Sequence, residues 1–283
     1  MKMHEILVEL GGGSLLQIAN RSTCMMNSYL IKTPDGKLAI MDGGYYGPED
    51  AEHLTGLIKE NGGVVDKWFI THAHSDHYGA LSWMLEHSDA LDIEIKELYY
   101  SFPDLEWLGR VEDPQVRPLV ETFYRGIEKH GLQVLPFVKD DIIECGGMTF
   151  EIFNDIEDYE KITHNPINNT SIVIMAHFPE KDVLFLADAG IELGEEILAD
   201  KGDAVRCDIV QVAHHGQNGV NKRFYEAVQP KVCLFPTTDW IWNNDFGNGP
   251  GTGTLKIDET RQWLKEIGNV AILPGFLGDY LLK

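Results

Sequence analysis

The amino-acid sequence predicts an α/β fold arranged as a four-layer αββα sandwich. Three observations carry that expectation. Short apolar strands alternate with amphipathic helical stretches, and the same succession restarts near the middle of the chain. No internal repeat, low-complexity tract or Pro/Ser-rich linker divides it, so residues 1–283 read as a single domain. Two strand blocks with helices in both halves bury their apolar faces as two sheets packed face to face, helices outside, although the pattern equally admits other α/β arrangements.

The elements follow from local chemistry. Strands are expected over 5–10, 15–19, 27–33 and 38–41, separated by Gly11-Gly12-Gly13 and by the turn Pro34-Asp35-Gly36. Over 49–60, Ala51, Leu54, Leu57 and Ile58 have the spacing of an amphipathic helix. A short strand over 67–70 leads into Thr71 and a histidine-rich segment, followed by helical stretches over 80–86 and 116–130. The second half offers strands over 148–153, 171–177, 183–187 and 208–213, with a helix over 193–199. A helix over 222–228, a strand over 232–235, a helix over 259–267 and a strand over 271–273 complete the pattern.

Composition narrows the function. Against 23 Lys+Arg stand 45 Asp+Glu, a net charge of −22, which disfavours capture of long nucleic acid and favours a small-molecule substrate. Hydrophobic content of 43% with 24% charged residues excludes a disordered chain. No apolar run approaches the ~18 residues of a membrane-spanning helix. The first ten residues alternate polar and apolar and carry Glu5 and Glu9, unlike a secretory signal. Cys24, Cys145, Cys207 and Cys233 are scattered without a Cys-x-x-Cys pair, which suits a reducing, cytoplasmic setting.

The informative segment is Thr71-His72-Ala73-His74-Ser75-Asp76-His77-Tyr78-Gly79. Three imidazoles and a carboxylate in six residues suit zinc, and also iron or manganese. Leaving a strand, His72 and His74 can clasp one ion while Asp76 and His77 point to a second. The plainer reading is a polar loop that happens to hold histidines. Asp188, after the apolar run Val183-Leu184-Phe185-Leu186-Ala187, can bridge two cations or can cap the helix that follows. Val210-Gln211-Val212-Ala213 ends in His214-His215-Gly216; adjacent side chains diverge, so His214, first past the strand, is the expected ligand and His215 is left for substrate or a supporting role.

At these residues the chain resembles the metallo-β-lactamase superfamily, whose signature is His-x-His-x-Asp-His after a strand. Within it the chain is similar to the branch typified by the soluble domain of ComEC-type DNA-uptake proteins, through Asn168-Asn169-Thr170-Ser171, Ala187-Asp188 and His214-His215-Gly216-Gln217. The resemblance runs from Leu38-Ala39-Ile40-Met41-Asp42-Gly43-Gly44 to the C-terminal strand. It implies that Asp42 lies behind the metal ligands and orients them. The departures are Asn168 where many members have a histidine, Ala187 in place of Gly, and Gln217 in place of Ser. Asn168 is left as an oxygen ligand, a substrate contact or a loop anchor, with His164 as an alternative ligand or a surface residue.

The expected cofactor is two divalent ions, zinc first, with His72, His74 and Asp188 on one and Asp76, His77, Asp188 and His214 on the other. Such ions share a bridging hydroxide that can attack an ester-type bond, a phosphodiester or nucleotide among them, with Asp76 helping to move a proton. An iron-dependent redox enzyme of the same fold and a DNA-processing nuclease are the alternatives. Tyr78, Asn168 and His215 are candidate substrate contacts. The stretch 105–119, broken at Asp113-Pro114, reads as a lid or as an ordinary surface connection, and 240–253 as a pocket mouth or as an anchored surface loop.

Overall fold

A computed structural model describes residues 2–111 and 114–283. The first sheet has eight strands in the spatial order Met3–Ile6, Asp279–Leu282, Ser14–Gln17, Ser28–Lys32, Leu38–Asp42, Lys67–Ile70, Leu98–Tyr100 and Val134–Leu135. The second has seven: Ile142–Cys145, Met148–Ile152, Ile174–His177, Asp182–Phe185, Ile209–Gln211, Val232–Phe235 and Ala271–Pro274. Their facing sides share one core, in which Tyr29, Met41 and Phe69 from one sheet meet Phe150, Ile174 and Phe185 from the other. Phe69 and Phe150 rings lie 4.8 Å apart and Tyr29 meets Phe185 edge-on at 5.1 Å. Helices Pro48–Glu60, Ser75–His87 and Val116–His130 cover the outside of the first sheet, and Ile191–Lys201, Lys222–Val228 and Ile257–Ile267 the outside of the second. This is the four-layer αββα arrangement expected.

Local signals account for the helix ends. Pro48 occupies the first turn of its helix, where its missing N–H costs nothing. Val116–His130 stops at Gly131, whose φ of 61° is the left-handed conformation that closes a helix. Strand Leu38–Asp42 pairs in parallel with Lys67–Ile70, and Asp182–Phe185 with Ile209–Gln211. The carboxyl ends of these two parallel pairs carry the histidine and aspartate motifs, the usual position for a ligand site in α/β sheets.

One element boundary differs from expectation in a way that matters. The helix expected over 80–86 starts at Ser75, so Asp76 and His77 stand in its first turn rather than in a loop. His74 is extended (φ −93°, ψ 141°) and provides the corner, and Asp76 suits the positive end of the helix. Helix Leu105–Val111 lies in the stretch considered as a lid. Asp113, half of the break expected there, lies outside the described residues, as does Met1. Among the described residues no helix is long and apolar enough to cross a membrane.

Candidate metal centre

The strand ends bring two groups of side chains together around one carboxylate. Asp76, His77, Asp188 and His215 form one group and His72, His74 and Asp188 the other, with ligand atoms within 4.8 Å of one another in each. In the first, His77 Nε2 is 3.2 Å from Asp188 Oδ1 and 3.8 Å from Asp76 Oδ2. His215 Nε2 is 2.9 Å from Asp76 Oδ2 and 3.5 Å from Asp188 Oδ2. In the second, His72 Nε2 lies 3.1 Å from His74 Nδ1 and 4.0 Å from Asp188 Oδ2. His72, His77 and His215 are fully buried, whereas Asp76, His74 and His214 retain some solvent access, so the centre opens past these three.

Supporting hydrogen bonds set the imidazole tautomers. Asp42 Oδ2 accepts from His77 Nδ1 at 2.7 Å, and Pro236 O accepts from His215 Nδ1 at 2.6 Å. Each bond assigns the proton to Nδ1 and leaves the Nε2 lone pair facing the acids, as a metal ligand requires. Asp42 also accepts from Asn27 Nδ2, Thr71 N and Thr71 Oγ1, and is itself fully buried. Asp42 thus lies behind His77 and holds its ring through Nδ1. Nε2 of His77 and of His215 and Oδ1 of Asp188 have no hydrogen-bond partner in good geometry among the described residues, despite being buried at these short separations. Unpaired buried polar atoms that converge on one point fit a cation, which would satisfy them together.

Electrostatics agrees with that fit. Burial disfavours a charged His77, yet the carboxylates of Asp188, Asp42 and Asp76 outweigh it and hold the imidazole well above its ordinary value. Burial likewise opposes charge on His215, but Asp188 and Asp76 push it up to about 10. Asp188 is held well below the carboxylate range: His215, His77 and His214 overcome its burial. His72 is driven down by burial and by His77 beside it. Without an ion, protons on His77 and His215 do the neutralising that a cation would do.

The histidine pair differs from expectation. His215, not His214, joins Asp76, His77 and Asp188. Both residues take left-handed backbone (φ 50° and 53°), which turns the second ring inward and leaves the first at the edge. His214 Nε2 stands 3.9 Å from Asp188 Oδ2 and 3.4 Å from Asn168 Nδ2, on another side of the carboxylate. Asp188 does not cap the next helix; Asn169 Oδ1 does, accepting from Gly190 N and Leu193 N. Ser171 Oγ accepts from Asp188 N. Tyr78, expected at the substrate, is 1% exposed and packed against Phe102 and Phe123; as part of the helix starting at Ser75 its ring turns into the outer core. His164 is a surface residue near Glu192. Trp240, in the short helix Asp239–Trp242, is half-buried and donates from Nε1 to Thr23 O.

A cavity of about 220 Å³ adjoins the open side, between His74, Asp76 and Tyr78 and the residues Gln115, Val116 and Leu119. The end of the 105–119 stretch thus borders the centre. Sequence reasoning missed Gln211. Its signal was a lone amide in the apolar run Val210-Gln211-Val212, and it is fully buried beside Ala187.

Comparisons with known proteins agree with this architecture. Residues 21–232 match the family model described as Metallo-beta-lactamase superfamily. No curated protein matches the chain by sequence. Among solved structures it is similar to the metallo-beta-lactamase fold protein YhfI from Bacillus subtilis, at 14% identity and TM-score 0.54 over 95% of this chain and 99% of that one. It is similar to CmlA, a diiron beta-hydroxylase from Streptomyces venezuelae, at 14% identity and TM-score 0.56 over 96% of this chain but 54% of CmlA, so it spans about half of that protein. Unliganded yeast PDE1 matches at 12% identity and TM-score 0.51 over 93% of this chain and 98% of that one. With three quarters of its length matched by the family model, the chain belongs to the metallo-β-lactamase superfamily.

Proposed function

We propose that the protein is a metal-dependent hydrolase with a dinuclear site, acting on an ester-type bond of a small molecule. The observation that supports it is the convergence of His72 and His74 on one side of Asp188, and of Asp76, His77 and His215 on the other, with Nε2 of His77 and of His215 and Oδ1 of Asp188 buried without a hydrogen-bond partner. A pair of divalent ions bound there supplies an activated water-derived nucleophile and positive charge for the leaving group. The chain's own residues hold and orient: Asp188 offers one carboxylate to both groups, while Asp42 and Pro236 O fix the rings of His77 and His215. Asp76, the solvent-accessible acid of the set, is placed to carry a proton at the open side. His214 and Asn168 border the His72–His74 group, His214 as a further nitrogen donor and Asn168 through a buried, unpaired Oδ1.

Phosphodiesters and nucleotides come first as substrates because of the likeness to the ComEC-type branch, and the name of yeast PDE1 points the same way. The donor set is nitrogen and oxygen without thiolate, which suits zinc or manganese and equally suits iron, so a redox enzyme related in fold to CmlA is the second reading. A net charge of −22 speaks against long DNA as substrate. Four free cysteines, three of them buried, suit a reducing compartment. The test is metal-free protein reconstituted with zinc, manganese or iron and offered phosphodiesters, nucleotides, lactones and thioesters. Turnover that requires zinc or manganese and disappears in Asp188→Ala supports hydrolysis. Oxygen consumption with iron alone, or turnover unaffected by removal of metal, overturns it.

A further inference from the structure

We propose that Gln211 is a positioning residue: its buried amide clamps Ala187 from both sides and so sets Asp188 against the His214-His215 turn. The inference rests on the metal-site reading above. Gln211 lies in register between Phe185 and Leu234 on the neighbouring strands, and no part of it reaches solvent. Residues of that row otherwise supply apolar side chains to the core between the sheets, where an amide is costly unless its groups are bonded. They are bonded. Oε1 accepts from Ala187 N at 2.6 Å, and Nε2 donates to Ala187 O at 3.0 Å and to Val212 O at 2.7 Å.

Ala187 has φ 47°, a left-handed conformation that alanine, unlike glycine, resists. Gripping both its N–H and its carbonyl selects that conformation and aims the next residue, Asp188, at the centre. The same carbonyl accepts from His214 N at 2.9 Å, so the loops carrying Asp188 and His215 meet at one atom that Gln211 holds. An apolar side chain could fill the volume. Only an amide can make these three bonds at once.

Gln211→Met keeps the volume and removes the clamp. Zinc titration by calorimetry is expected to show binding weakened by about tenfold to a hundredfold, the range for lost supporting contacts. Amide exchange in the metal-free protein is expected to accelerate across 186–190 and 213–217 but not across the strand Val232–Phe235. Ala187→Gly added to Gln211→Met removes the backbone penalty and is expected to restore most of the zinc affinity, a rescue that general destabilisation does not give. Gln211→Glu, which retains an acceptor for Ala187 N, replaces Gln211→Met if the latter does not fold. Unchanged zinc affinity and exchange in the variant overturn the clamp and leave the metal site standing. Wild-type protein that binds no zinc overturns the metal reading and the role of the clamp with it. Failure of both variants to fold, uncorrected by Ala187→Gly, assigns Gln211 to folding and also overturns the proposal.

Discussion

Asp42→Asn separates the orientation of a ligand from its mere presence. Asp42 Oδ1 accepts from Thr71 N at 2.8 Å, and Oδ2 accepts from His77 Nδ1 at 2.7 Å, Asn27 Nδ2 at 2.9 Å and Thr71 Oγ1 at 3.1 Å. Asparagine has nearly the same shape and tolerates the left-handed backbone at this position (φ 58°), so the backbone is not disturbed. It has one acceptor oxygen instead of two. With that oxygen kept on Thr71 N, its NH₂ meets the donors of His77 and Asn27. His77 is then driven to the other tautomer, with Nδ1 accepting and Nε2 protonated, and the lone pair facing Asp188 and Asp76 is lost. The bond to His77 survives with its direction reversed, and the one from Asn27 Nδ2 is lost, which at about 1.5–3 kcal/mol for a hydrogen bond to a carboxylate is the expected loss in folding stability. Loss of the orienting contact weakens the ion at Asp76, His77, Asp188 and His215 by about tenfold to a hundredfold, or about 1.4–2.8 kcal/mol. Zinc calorimetry together with urea unfolding of the metal-free protein measures both quantities. An Asp42→Asn protein that binds two ions at wild-type affinity refutes the tautomer argument.

Further expectations follow from the same geometry. His215→Ala is expected to lose the ion shared by Asp76 and His77, whereas His214→Ala keeps it; an anomalous-difference peak beside Asp76 and His77 that persists in His215→Ala crystals, or that is lost in His214→Ala crystals, contradicts the placement of the two rings. Gly79→Ala directs a methyl group into the backbone of Tyr45 and Tyr46, an overpacking cost of about 1–3 kcal/mol that thermal unfolding should register. Asp279 is raised by burial but held below the carboxylate range by His53, Ala19 N and Arg21, so its stabilisation is complete above an unfolded value of about 3.9 and fades as pH falls through the lower folded value. Asp279→Asn is therefore expected to flatten the acid side of the stability profile, and an unchanged slope in urea titrations there counts against that pairing.

Much of the fold was legible because its signals are local. The strand at Lys67–Ile70 and the helices at Val116–His130 and Lys222–Val228 follow from apolar periodicity over single elements. The short strands Leu98–Tyr100 and Val134–Leu135 were not legible, since two or three residues offer no period and only the neighbouring strand defines them. At the site, the residue types and their order could be read from the chain, but not which ring faces which acid. His214 and His215 exchange expected places through two left-handed backbone angles that no side chain announces. Tyr78 illustrates the same limit, because a helix that begins five residues earlier than expected turns its ring into the core. Gln211 and Ala187 lie 24 residues apart in sequence and meet only across parallel strands.

The most direct test is an anomalous-difference map from crystals of the zinc-loaded protein at the zinc absorption edge. The account predicts two peaks about 3.5–4 Å apart, one beside His72 and His74 and one beside Asp76, His77 and His215, with Asp188 between them. No peak among these side chains, in protein shown to be folded and exposed to zinc, contradicts it.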